Sequence, residues 1–200
     1  TNEFGVAVKV LGWGTEWKGF SDKGKGVLNY LETKSDTDIV VFLDGFDTKI
    51  NKNPDKLIDL FKEFNCKILL SSDPNISGTF ITNLVFTCKG SGTANAGMYM
   101  GYAKELKEFL KAEEKAKCKD DQLNFNTLCR SREDIRVDEK NVIFHNFKPT
   151  EIQKTSDALF VSFPGSPGVS RYSRALVEYT QFIYIYILCL LVVAMAVSPR

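Results

Sequence analysis

The sequence predicts an α/β fold, a single domain with a mostly parallel central sheet, followed by a C-terminal apolar segment. Asp38–Leu43 (DIVVFL) and Lys67–Ser71 (KILLS) are short, continuous apolar runs, a pattern typical of strands buried on both faces of a parallel sheet. Between them, Pro54–Phe64 carries apolar residues at helical spacing and begins with a proline suited to the first helical position. Strand, helix and strand in this order predict a βαβ unit.

The rest of the chain alternates strands, loops and helices around this unit. Before it, the pattern predicts a strand over Val6–Leu11, a loop over Gly12–Gly26 with five glycines and both tryptophans, and a helix over Gly26–Thr33. After it, the predicted elements are a loop with a short strand (Pro74–Thr93), a strand (Gly97–Tyr102), two helices (Ala103–Lys119 and Asp120–Cys129) and two strands (Val142–Phe147 and Ala158–Phe163).

The composition is typical of a globular protein without a strongly charged partner. Hydrophobic residues make up 44% and charged residues 26% of the 200 residues, enough apolar chain to bury a core. A net charge of +1 gives no indication of nucleic-acid binding. The five cysteines and one histidine lack zinc-binding spacing, and the sequence has no P-loop, α/β-hydrolase or zincin motif.

The C-terminal segment is the most apolar part of the chain. Phe182–Val197 contains sixteen residues without a charge, close to the lower limit of roughly 17 residues for a membrane-spanning helix. We therefore predict a domain over residues 1–178 and an apolar tail over residues 179–200, a candidate membrane anchor. The same composition would also suit a buried core segment or a tail removed by processing. The sequon Asn75-Ile76-Ser77 would be glycosylated only in a secretory compartment.

Two acidic pairs are candidate functional residues. Asp44 and Asp47 follow the predicted strand Asp38–Leu43, at the end of the sheet where α/β proteins bind ligands. Carboxylates there can hold Mg²⁺ or Mn²⁺ together with substrate phosphates, or can cap the following turn. Asp120 and Asp121 open a predicted helix, where they either stabilise the helix dipole or face a cleft and assist a transferred group.

Two further features suit a sugar or nucleotide ligand. Asn95 precedes small residues, which would let a sugar approach the backbone closely. Trp13 and Trp17 lie in the glycine-rich loop, where an aromatic side chain can stack on a base or a sugar, although both would also suit a core.

Six blocks of sequence, taken in order, resemble the glycosyltransferase domain of the procollagen lysyl hydroxylase and collagen glucosyltransferase family, a GT-A-type domain. The resemblance extends from about residue 6 to about residue 146, and more loosely to residue 167. The blocks are VKVLGWGTEWKG (Val8–Gly19), DIVVFLDGFD (Asp38–Asp47), KILLSSD (Lys67–Asp73), ANAGMYMGYA (Ala94–Ala103), KDDQLNFNTL (Lys119–Leu128) and VIFHN (Val142–Asn146). It implies a GT-A-like nucleotide-sugar-binding fold whose first strand precedes Thr1.

The resemblance also implies roles for individual residues. The metal ligands would be Asp44 and Asp47, which would hold Mn²⁺ (or Mg²⁺) against the UDP pyrophosphate. The implied nucleotide-sugar contacts are Trp17, Asp44 and Asn95, and the implied catalytic residues are Asp120 and Asp121.

The implied activity is transfer of a hexose, glucose by preference, from a UDP-sugar to a glycosylated hydroxylysine of collagen or a collagen-like protein in the endoplasmic reticulum or secretory pathway. In that reaction the cation would neutralise the departing UDP while carboxylates stabilise positive charge at the anomeric carbon. Phe163 stands where the family has a histidine as a third metal ligand. An inactive or truncated domain that acts as a scaffold is therefore the main alternative, and a membrane-tethered module that binds collagen or glycan is the third.

Overall fold

The computed structural model describes residues 3–16, 18–45, 47–73, 88, 92–116, 120–148 and 155–163. All of them lie in the unit Thr1–Gly165. The helices among them are α1 (Phe20–Leu31), α2 (Leu57–Glu63, after a 3₁₀ turn at Pro54–Lys56), α3 (Ala103–Glu114) and α4 (Asp121–Ser131). The strands are β1 (Ile39–Leu43), β2 (Thr48–Ile50), β3 (Ile68–Ser72), β4 (Ala94–Tyr102), β5 (Ile135–Asp138), β6 (Phe144–Asn146) and β7 (Phe160–Ser162).

The larger sheet has four strands in the order β1-β4-β3-β5. Strand β4 is antiparallel to both of its neighbours, whereas β3 and β5 are parallel, so β1, β3 and β5 all run in the same direction. The α/β class is confirmed. The described sheets are nevertheless mixed rather than mostly parallel, because β4 inserts between the two strands of the predicted βαβ unit.

Strand β4 fits between β1 and β3 because both of its faces are apolar and one glycine allows close approach. Tyr99 packs into the core cluster on one face of the sheet, and Met98 and Met100 pack into the cluster on the other. A Cβ atom at Gly101 would lie only 2.6 Å from the carbonyl oxygen of Lys67, so a larger residue there would push β3 away.

The smaller sheet has three strands in the order β2-β7-β6, with β2 antiparallel and β6 parallel to β7. The fully buried carboxylate of Asp138, at the end of β5, fixes the turn that leads into β6. It accepts backbone hydrogen bonds from Val142, Ile143 and Phe144 at 2.9, 2.7 and 2.8 Å. The strands predicted over residues 142–147 and 158–163 are shorter in the structure, with three residues each.

Two predictions near the N-terminus were wrong. Val6–Leu11 forms no strand, and Val8 and Val10 are each 61% exposed, because no neighbouring strand covers them in the described part of the chain. The helix predicted from Gly26 begins at Phe20. Gly24 allows α1 to approach α3 closely, since a Cβ atom there would lie 3.1 Å from a carboxylate oxygen of Glu113.

Several predicted features lie outside the described residues. They are Trp17, the sequon Asn75-Ile76-Ser77, most of the loop Pro74–Thr93, and the apolar tail over residues 179–200 with the boundary at residue 178. Among the helices that the structure describes, none combines the length and apolar character needed to cross a membrane.

Candidate functional site

The directions of the strands bring the candidate residues to one edge of the larger sheet. Strands β1 and β3 end at this edge, and β4 begins there because it runs in the opposite direction. The backbone N–H of Asp44, just after β1, donates to the carbonyl oxygen of Gly97 at 2.8 Å. The N–H of Asp73, just after β3, donates to the carbonyl oxygen of Thr93 at 2.8 Å. Asp44 and Asp73 therefore both flank the first residues of β4.

Asp44 and Asp47 lie half-buried on the short turn between β1 and β2. The Thr48 hydroxyl donates to the carbonyl oxygen of Asp44, and the N–H of Phe163 donates to the carbonyl oxygen of Asp47 at 2.8 Å. Burial raises the pKa of Asp47, and the negative charge of Asp44 raises it further. Two carboxylates that repel each other in this way are suited to share a cation.

The donor set fits a cation that is only partly ligated by protein. In the described ranges no three histidine, cysteine, aspartate or glutamate side chains form a metal-binding group. Asp44 and Asp47 could hold Mg²⁺ or Mn²⁺ only in the arrangement in which one or two carboxylates bind the ion and pyrophosphate oxygens and water complete the coordination. Phe163, at the end of β7 beside Asp47, brings no ligand atom from its side chain.

The two carboxylates at the start of α4 have different partners. Asp120 is the N-cap of the helix, and its side chain accepts a hydrogen bond from the N–H of Leu123 at 3.0 Å. Asp121 forms an ion pair with Lys23 of α1, whose Nζ atom lies 2.5 Å away, and these side chains are only 12% and 13% exposed. Lys23 also donates to the carbonyl oxygen of Ala96 on β4 at 3.3 Å. Lys23, on α1, thus contacts both β4 and α4.

Asn95, near the start of β4, is held by hydrogen bonds that connect it through Gln122 to Asp73. Its Oδ1 atom accepts from the N–H of Gly97 at 2.7 Å, and its Nδ2 atom lies 3.4 Å from Oε1 of Gln122. The Nε2 atom of Gln122 donates to a carboxylate oxygen of Asp73 at 2.8 Å. The half-buried Asn95 is therefore oriented from two sides.

The side chain of Tyr99, on β4, is buried. Burial raises the pKa of Tyr99 well above its ordinary value, and the negative charges of Asp121, Glu113 and Asp44 raise it further. Burial also raises the pKa of Glu113; its hydrogen bond from Asn124 at 3.1 Å acts in the opposite direction. Three negative charges, one just after β1, one on α3 and one on α4, therefore act on the same phenol.

Sequence reasoning assigned no role to three residues of this site. Lys23 has a recognisable signal, since Lys23, Val27 and Leu31 repeat every four residues on α1 and the last two are buried. A charged residue on the buried face of a helix indicates an ion pair. Asp73 and Gln122 lie inside quoted blocks, but only the strand order shows that they meet.

Comparisons with known proteins agree with the resemblance. The family model described as the PLOD GT domain matches residues 1–157. A procollagen-lysine,2-oxoglutarate 5-dioxygenase of Drosophila melanogaster is 28% identical over 172 residues. That match covers 72% of this chain and 22% of the relative, so the chain spans about a fifth of the relative's length. The matched region contains every residue of the site at the edge of the larger sheet.

Proposed function

The chain belongs to the family of PLOD GT domains, and from that premise we propose that it is a metal-dependent glycosyltransferase. The proposed reaction moves a hexose, glucose by preference, from a UDP-sugar to a glycosylated hydroxylysine of collagen or a collagen-like protein. The observation that carries this proposal is the convergence of Asp44, Asp47, Asn95 and Asp121 at the edge where β1 and β3 end. Ligands of open α/β sheets bind at this edge.

Each residue has a chemical part in the proposed reaction. Asp44 and Asp47 would hold the Mn²⁺ or Mg²⁺ ion, and that ion would supply positive charge to the pyrophosphate of the departing UDP. Asp121 is kept in place by Lys23 and offers a fixed negative charge to the positive charge that develops at the anomeric carbon. Asn95 offers an oriented amide to a sugar hydroxyl. Asp120 supports Asp121 by capping the same helix.

The proposed compartment is the secretory pathway, including the endoplasmic reticulum. Cys88 and Cys129, which lie 41 positions apart in the sequence, form a disulfide. Disulfides persist in oxidising compartments and are rare in the cytosol. The relative's name refers to procollagen lysine, which supports a collagen-like acceptor for this chain. The association of residues 179–197 with a membrane remains part of the proposal.

The proposal is tested by Mn²⁺-dependent release of UDP from UDP-glucose and from UDP-galactose. The full chain is compared with Asp44→Ala and Asp121→Ala, and with Asp157→Ala as a control, because Asp157 is exposed and pairs only with Lys52 among described side chains. We expect metal-dependent turnover that the first two substitutions abolish and the control retains. Absence of metal-dependent UDP-sugar binding and turnover in the unaltered chain would refute the proposal.

A second candidate function is a scaffold or binding module that has lost turnover. Phe163 supports it, because its side chain carries no atom that could bind a cation beside Asp47. UDP binding without UDP release would favour this candidate. The donor that is released faster in the same assay would identify the preferred sugar.

A further inference from the structure

We propose that Asp73 and Gln122 are positioning residues that set the direction in which Asn95 presents its amide to the donor sugar. The inference rests on the proposed function and deepens it, since it assigns donor-sugar recognition to two residues beyond those named there. Neither Asp73 nor Gln122 would touch the reacting atoms. Both would act through Asn95.

Asp73 determines which side-chain groups donate and which accept in the hydrogen bonds that join Asp73, Gln122 and Asn95. Asp73 is only 4% exposed, and an ionised carboxylate can only accept hydrogen bonds. Gln122 must therefore present its NH₂ group to Asp73, at 2.8 Å, and its carbonyl oxygen to Asn95. An amide that faced the other way would place two oxygens against each other, at a cost comparable to an unpaired buried polar group.

The orientation of the Asn95 side chain is also fixed by its hydrogen-bond partners. Its Nδ2 atom faces the Gln122 oxygen, and its Oδ1 atom accepts from the N–H of Gly97. An amide nitrogen carries two protons, and one of them points to Gln122. Within the described part of the chain the other proton has no acceptor, so Asn95 offers a single N–H donor of fixed direction.

The side chain of Asn95 lies close to that of Asp44. Gly97 separates Asn95 from Asp44, and a Cβ atom at Gly97 would lie 2.9 Å from Oδ1 of Asn95 and 3.9 Å from Cβ of Asp44. The backbone of Asp44 is also bonded to Gly97. A ligand whose phosphates meet Asp44 would therefore place its adjoining sugar next to the Asn95 amide, where a hydroxyl oxygen can accept.

Substitutions that exchange the carboxylate and amide groups of Asp73 and Gln122 can first disturb and then restore the orientation of the Asn95 amide. In Gln122→Glu, two carboxylates face each other, and their repulsion moves the side chain at position 122 away from Asp73 and from its place beside Asn95. In Asp73→Asn combined with Gln122→Glu, the new amide at position 73 can donate to the carboxylate at position 122, whose other oxygen again accepts from Asn95. The double variant thus restores the order of donors and acceptors with unchanged net charge.

The test measures binding of UDP and of UDP-glucose to the full chain by calorimetry in the presence of Mn²⁺. We expect Gln122→Glu, and the uncharged Gln122→Met, to weaken UDP-glucose binding about 3- to 10-fold, the equivalent of one hydrogen bond. Binding of UDP alone should not change. The double variant should recover most of the loss for UDP-glucose, an effect that a general loss of stability would not produce.

Asn51→Ala is the matched control, because Asn51 is another partly buried amide, just after β2 of the smaller sheet, and donates to the carbonyl oxygens of Ser156 and Ala158. It should leave the ratio of the two affinities unchanged. If the single variants keep the wild-type ratio, or the double variant fails to restore it, the inference is wrong while UDP binding stands. If the unaltered chain binds neither UDP nor UDP-glucose, the proposed function fails, and the inference fails with it.

Discussion

The Nζ atom of Lys23 lies 2.5 Å from a carboxylate oxygen of Asp121, and both side chains are almost wholly buried. This ion pair links α1 to the first residue of α4. The ammonium group of Lys23 holds the Asp121 carboxylate in place, so the position of this carboxylate depends on a residue from a distant part of the sequence.

Lys23→Met should remove both stability and transfer activity. The substitution leaves the Asp121 carboxylate buried without its cation, and breaking a buried ion pair in this way costs about 3–5 kcal/mol of unfolding free energy. Lys23→Arg, which keeps the charge, should recover part of both losses. Unfolding in urea and UDP release from UDP-glucose measure the two effects.

Lys107→Met is the matched control for Lys23→Met. Lys107 also forms an ion pair between a helix and a distant residue, with Asp36 at 3.0 Å, but Asp36 is 64% exposed. An exposed partner remains hydrated when its cation is removed, so the unfolding midpoint and UDP release should change little. Equal losses in Lys23→Met and Lys107→Met would show that the Lys23 pair has no special role.

Local patterns predicted those parts of the site that follow a strand directly. The run DIVVFL correctly placed Asp44 and Asp47 after a strand, and the start of α4 was predicted one residue from its observed position. The expected burial of that strand on both faces was wrong, because β1 is half-buried at the end of the described four-stranded sheet and pairs there only with β4. The capping function of Asp120, which was left open, also follows from the sequence at a helix start. These features depend on residues within a few positions of each other.

Long-range pairing was not predictable in the same way. The insertion of β4 between β1 and β3 depends on contacts between residues tens of positions apart, which hydrophobic periodicity does not encode. Strand β2 has only three residues and gave no pattern. The Asp73–Gln122–Asn95 chain depends on that strand order, so the sequence could supply its members but not their contacts.

Asp47→Asn should stabilise the protein at neutral pH while it weakens metal binding. Burial and the charge of Asp44 raise the pKa of Asp47, so the folded state binds more protons than the unfolded state between the ordinary and the raised pKa. Stability contributed by this group is therefore lost as pH rises through that interval, and at neutral pH its negative charge opposes folding. An uncharged amide removes the penalty together with the anionic metal ligand.

Thermal unfolding with and without Mn²⁺ and UDP measures both effects of Asp47→Asn. The variant should melt at a higher temperature than the unaltered protein at pH 7, and the ligands should raise its melting temperature less. Asp55→Asn is a suitable control, since Asp55 lies on the exposed 3₁₀ turn. A lower melting temperature for Asp47→Asn without ligands would contradict the prediction.

Loss of the Cys88–Cys129 disulfide should destabilise the fold. The bond links Cys88 to α4, and a cross-link over 41 residues restricts the unfolded chain by about 4 kcal/mol in the loop-entropy description. Cys88→Ser combined with Cys129→Ser should therefore lower the unfolding free energy by roughly this amount, measured by urea denaturation. Dithiothreitol should destabilise the unaltered protein and have no such effect on the double variant.

Cys66→Ser is the control for the disulfide variants. Cys66 is a free, half-buried cysteine, and burial raises the pKa of its thiol to about 12. At neutral pH this thiol is protonated and unreactive, so its substitution should leave the response to dithiothreitol unchanged. A response that disappears in Cys66→Ser would mean that the described disulfide is not the bond being reduced.

Phe163→His should increase the affinity for Mn²⁺ in the absence of UDP. The N–H of Phe163 is bonded to the backbone of Asp47, so an imidazole at this position would lie near the two carboxylates that would hold the cation. A third protein ligand would reduce the dependence of metal binding on the pyrophosphate. We expect at least about a tenfold gain, the equivalent of roughly 1.4 kcal/mol, measured by calorimetry with the metal alone.

The same substitution at Phe147 gives a matched comparison, because Phe147 stacks on Phe163 with ring centroids 5.2 Å apart but has no recorded bond to Asp47. Phe147→His should not increase Mn²⁺ affinity. Combining Phe163→His with Asp44→Ala should cancel the gain, since the imidazole would then have lost a partner ligand. A gain that survives in this double variant would place the added metal site elsewhere and remove Asp44 from it.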